Sequence, residues 1–186
     1  MGGIGIILDM LILFALVGGV LWNMRRGFAR ALVGLLMLFL AMTISALLYS
    51  ALLNWFGRAV GPGAANRTSG PYIFGFMIIV FYAGFEYMVS RNYSNLHIQR
   101  LGVWDNILGA LVGIFWSLLA ISLFLVTLEF WTLTVGGGMP AVDLFANLLA
   151  TSFMVPVLRQ FFNLPLIPLK LLFPAGMPEI FVYFPR

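Results

Sequence analysis

Six carboxylates and one histidine are the only side chains in these 186 residues that could readily exchange a proton near neutral pH, and their placement limits the chemistry. Asp9 lies about five residues inside an apolar run, where ionisation is costly without a partner. It is therefore an intramembrane acid that could accept a proton, pair with a cation such as Arg159, or stay hydrated close to the interface. Glu86 and Asp105 fall at the same predicted level as Arg25, Arg26, Arg30, Arg91 and Arg100, which predicts a layer of ion pairs. Asp105 also precedes an apolar run, where a carboxylate accepts backbone N–H bonds and complements a helix dipole. Glu129 closes that run at its other end, an ordinary interfacial position. His97 sits in the polar stretch Ser94-Asn-Leu-His97 and reads as a solvated loop residue.

These groups form no catalytic constellation. The sequence contains no HExxH, GxSxG or P-loop pattern and no paired carboxylates. Without cysteine there is no disulfide, thiolate metal site or thiol nucleophile, and one histidine cannot build a bis-histidine cofactor site. The expectation is a protein that is not an enzyme and binds no cofactor and no metal.

The elements that position these residues are apolar. Hydrophobic residues make up 62% of the chain, charged residues 9%, and mean hydropathy is +1.06. Soluble domains carry about 25% charge. The uncharged stretches 31–57 and 106–128 exceed the roughly 20 residues that cross a bilayer as helix. Four spans are predicted, at about 4–22, 31–53, 71–89 and 107–128, forming a transmembrane domain over 1–135. No Lys or Arg precedes the first apolar run, so it reads as a retained span and not a cleaved signal peptide.

Arginines set the expected orientation. Arg25, Arg26, Arg30, Arg91 and Arg100 occupy the first and third connections, against Arg58 and Arg67 in the second. The positive-inside rule then puts the odd loops in the cytoplasm and both termini outside. No basic stripe with interleaved aromatics suits nucleic acid.

Within the second span, Ala31-Leu-Val-Gly-Leu-Leu-Met-Leu-Phe-Leu-Ala41 shares six of eleven positions with Ala110-Leu-Val-Gly-Ile-Phe-Trp-Ser-Leu-Leu-Ala120 in the fourth. That points to two parallel helical hairpins, although ALVG also recurs by chance in such a composition. Gly109, Gly113 and Ser117 form a small-residue strip on span 4, for helix packing inside the chain or contact with a partner.

Residues 136–186 change character, holding seven of the nine prolines. Residues 141–155 suit an interfacial amphipathic helix, with Pro140 in its first turn and Asp143, Asn147 and Thr151 on one face. A fifth span over 144–162 is long enough, but Asn147, Pro156 and Arg159 argue against it. The remainder is apolar and proline-rich, predicted to form no long helix and to rest on lipid or protein. The fold class is thus all-α integral membrane.

Leu8-Asp9, then Arg26-Gly27-Phe28-Ala29-Arg30, then Leu101-Gly-Val-Trp-Asp105-Asn-Ile-Leu-Gly-Ala110-Leu-Val-Gly113 resemble the colicin V production protein family of bacterial membranes. The likeness covers about residues 8–163 and includes Ser152-Phe-Met-Val-Pro156. Trp116-Ser117 departs from the Arg-Gly expected in many members, and the proline-rich extension after Asn163 is a further departure. The resemblance implies a bacterial inner-membrane protein with no catalytic residues to carry over.

The expected function is a scaffold or assembly- and export-associated protein, with the tail 141–186 and span 4 contacting other membrane proteins. An accessory, cofactor-free subunit of a large respiratory or photosynthetic complex is the alternative. A small proton-coupled transporter using Asp9 is a third, disfavoured by span middles that offer only Thr43, Ser45, Tyr82, Ser117 and Ser122.

Overall fold

The computed structural model describes residues 3–60, 69–92, 102–135, 138–173 and Phe181. Those residues are helical throughout apart from short breaks: α1 (Gly3–Arg26), α2 (Phe28–Val60), α3 (Gly70–Asn92), α4 (Val103–Val135), α5 (Pro140–Thr151) and α6 (Met154–Leu172). The first four are long and apolar enough to cross a membrane. The 33 residues of α2 and of α4 rise about 50 Å, well beyond the roughly 30 Å of hydrocarbon. Both therefore overrun the predicted spans. The excess has to tilt or stand in the headgroup region.

Gly27 separates α1 from α2 with φ of 79°, a left-handed conformation that a Cβ would disfavour. The reversal this single residue allows puts the end of α1 beside the start of α2. Ion pairs from Arg26 and Arg30 to Glu86 bring the end of α3 to the same place, and Asp105 brings the start of α4. So α1 and α3 run one way, α2 and α4 the other. We call this the arginine end.

Packing does not follow the two-hairpin expectation. The main partner of α1 is α4, not α2, while α2 packs on both α3 and α4. Side chains decide this: α1 and α4 both present glycines at their crossing and can approach more closely than α1 and α2. The core gathers round α4, with Leu123, Leu125 and Val126 packed with Met42 of α2, Phe74 of α3 and Phe162 of α6.

The tail is more helical than its prolines suggest. Helix α6 continues through Pro165 and Pro168, which remove the N–H donors that would reach back to the carbonyls of Phe161 and Leu164. Val155, Leu158, Phe162, Leu166 and Leu169 recur at three- and four-residue spacing and are all buried, so tertiary packing outweighs the lost bonds. Helix α5 starts at Pro140, exposes Asp143, Asn147 and Thr151, and buries Val142 and Leu149. Between them the chain bends by 80°. His97, Arg67, Arg100 and most of the segment after Phe173 lie outside the described residues.

Candidate functional site

Three sets of contacts hold the long helices and the tail together, and they contain the residues singled out in the sequence. The first is the glycine seam. A Cβ on Gly109 would stand 2.9 Å from the Asn23 carbonyl oxygen and 3.0 Å from the Gly27 carbonyl carbon; one on Gly113 would stand 2.8 Å from Asn23 Cβ. The buried Ser117 Oγ donates to the Gly113 carbonyl at 2.7 Å and lies where a Cβ on Gly19 would fall. Asn23, buried in α1, donates Nδ2 to the Gly19 carbonyl at 2.9 Å. The strip Gly109, Gly113, Ser117 is therefore filled by α1 of the same chain.

The second set closes the arginine end. Arg26 Nη1 lies 2.9 Å and Arg30 Nη2 3.7 Å from Glu86 Oε1, and the Arg26 guanidinium sits 4.8 Å above the Trp22 ring. Arg25 is exposed, and Arg91, also exposed, donates to the Tyr87 hydroxyl. Asp105 Oδ1 accepts the Phe28 N–H at 2.9 Å. Phe28 opens α2, so the acid at the start of α4 satisfies one of the orphan N–H groups of a different helix. Both α2 and α4 direct their positive dipole ends at this buried carboxylate.

The third set is at the opposite end. Asp9 accepts the Ser152 hydroxyl, the Phe153 N–H at 3.1 Å and the Met154 N–H at 3.0 Å, while Ser152 Oγ accepts the Val155 N–H at 3.2 Å. This carboxylate therefore caps α6 from α1, across more than 140 residues of sequence. Of the alternatives open for Asp9, pairing with Arg159 is not the one formed: Arg159 Nη2 reaches Glu129 Oε1. Glu129 is accordingly a largely buried partner of α6, more than an interfacial residue. Sequence reading missed Ser152 and Asn23; the signal for Ser152 was a helix-capping residue placed just ahead of an apolar run.

Chemically, Asp9, Glu86, Asp105 and Glu129 do one thing: each ties one helix to another. Among the described residues, no group of three His, Asp or Glu could hold a metal ion. A family model described as colicin V production protein matches residues 8–162. The chain belongs to the colicin V production protein family. No curated protein and no solved structure matches it. The segment matched to the colicin V production family contains all three contact sets and stops inside α6, three residues short of Pro165.

Asp105→Ala would leave the Phe28 N–H without its acceptor in a largely buried turn. An unsatisfied buried donor costs about 1–3 kcal/mol. The expected result is a lower midpoint in detergent unfolding followed by circular dichroism, with Asp105→Asn, which keeps an acceptor oxygen, falling between. A midpoint equal to the parent's would show that Asp105 does not secure the α1–α2 turn.

Proposed function

We propose that this membrane protein is a non-enzymatic scaffold that acts by binding other proteins of the bacterial inner membrane during assembly or export. The observation that carries the reading is that Asp9, Glu86, Asp105 and Glu129 are each engaged in holding helices together. That leaves none of them free at mid-depth to relay a proton. Family membership and the apolar faces of α1 and α3, with Phe14, Phe76 and Ile79 exposed, support the same reading.

Gentle detergent extraction of the full chain, native gel separation and identification of co-migrating proteins test this. The expected band runs well above 20.6 kDa and contains a defined set of membrane proteins. Migration as a lone monomer would overturn the scaffold reading. Equimolar cofactor-bearing partners would favour an accessory subunit of a larger complex.

A further inference from the structure

The two helices flanking α4 on its outer side, α1 and α3, scarcely touch each other. Between them runs an open groove floored by α4. Its main cleft, about 570 Å³, is lined by Leu11 and Ala15 of α1, Trp116, Ala120 and Phe124 of α4, and Phe145 of α5. A second cleft on the α3 side shares Phe124, Leu128 and Phe145 with the first, so the two adjoin along α4 and α5. The walls are almost wholly apolar. On α1 the lining stripe of Leu11 and Ala15 continues at helical spacing through Gly18 to Trp22 and Arg26. Gly18 has nothing within 4 Å of where a Cβ would stand, which leaves that wall open.

The ends of the groove differ. At one end α5 lies across it through Phe145 and Leu148, and the exposed charge of α5 is Asp143. At the other, the Arg26–Glu86 bridge joins α1 to α3, with Tyr82 and Trp116 in ring contact beneath it. Among the described residues the arginine end holds Arg25, Arg26, Arg30 and Arg91 against Glu86 and Asp105, so positive charge is in excess where the groove meets the headgroup region. Trp22, exposed beside Arg26, is a residue suited to that level.

Depth agrees with charge. Asn23 and Gly27 lie against Gly109, which puts Arg26 near the level of residues 109–112 of α4. Half of a bilayer's hydrocarbon is about 15 Å, or ten helical residues. A chain entering at Arg26 therefore reaches past Trp116 to about Ala120, within the cleft. We infer that the groove between α1 and α3 is a binding site for an anionic glycerophospholipid, with one acyl chain along Trp116 and Ala120 and its phosphate against Arg25 and Arg26.

Native mass spectrometry of the full chain in mild detergent tests this, with phosphatidylglycerol and phosphatidylcholine of identical chains offered in equal amounts. Phosphatidylglycerol should be retained about fivefold more for each arginine engaged. Arg25→Gln should reduce that preference, while Ala15→Trp and Gly18→Leu should reduce retention of both lipids severalfold with helical content unchanged. As a check independent of substitution, phosphatidylglycerol with brominated chains should quench tryptophan fluorescence in the parent more than its phosphatidylcholine counterpart. Equal retention and equal quenching by the two lipids would overturn the inference and indicate annular lipid only. Retention indifferent to both groove substitutions would likewise overturn it.

Discussion

Asp9→Ala is expected to free the N-terminus of α6 while leaving the four long helices in place. The carboxylate accepts the Ser152 hydroxyl and two backbone N–H groups, and alanine satisfies none of them. Hydrogen bonds to a charged acceptor contribute about 1.5–3 kcal/mol each. Losing even one corresponds to roughly a ten- to hundredfold change in local opening. Amide hydrogen exchange at Phe153, Met154 and Val155 reads this directly and should accelerate by at least tenfold, whereas amides near Leu123 in α4 should not change. Asp9→Asn offers one neutral acceptor oxygen and should fall between. Restoration by Asp9→Glu is not expected, because the longer side chain displaces the carboxylate from donors about 3 Å away. Unchanged exchange in Asp9→Ala would mean that Arg159–Glu129 and the buried face of α6 hold the segment without the cap.

That contact marks the boundary of what the sequence makes legible. Spans follow from charge-free runs, because a backbone in hydrocarbon must close its own hydrogen bonds and the helix is the local way to do so. The four long helices lie where those runs fall, and the glycine strip on α4 lies in a tight crossing. Partners are a different matter. Asp9 is recognisable as a costly acid, yet its donors are backbone groups at residues 153 and 154, and backbone N–H groups have no sequence signature. Arg159 is equally compatible by sequence with Asp9 and with Glu129, and three-dimensional position alone selects Glu129. Likewise, Asp105 is legible as a capping residue at a helix start, but the N–H bonded to it belongs to α2, 77 residues away. The prolines mislead for the opposite reason: intrinsic cost at Pro165 and Pro168 is local, whereas burial of Phe162, Leu166 and Leu169 is collective.

The seam between α1 and α4 should be the least forgiving part of the protein. At Gly109 the atoms facing an added Cβ are backbone, the Asn23 carbonyl oxygen and the Gly27 carbonyl carbon, which cannot rotate away as a side chain can. At Gly113 the neighbours are Asn23 Cβ and, at 3.2 Å, Val20 Cα. Gly109→Leu or Gly113→Leu therefore forces α1 bodily off α4. Overpacking usually costs about 1–3 kcal/mol, and here the displacement also exposes Asn23 and pulls on the Asp105 contact through Gly27 and Phe28. Gly18 supplies the control, since it lies on α1, the other helix of the seam, with open space beside it, and Gly84 on α3 does the same. Titration into dodecyl sulfate micelles, followed by tryptophan fluorescence, should show a large fall in midpoint for the two seam variants and little change for Gly18→Ala or Gly84→Ala. A midpoint in Gly113→Leu equal to the parent's would show that α1 and α4 accommodate the side chain without separating, and the close crossing would then not be what orders the bundle.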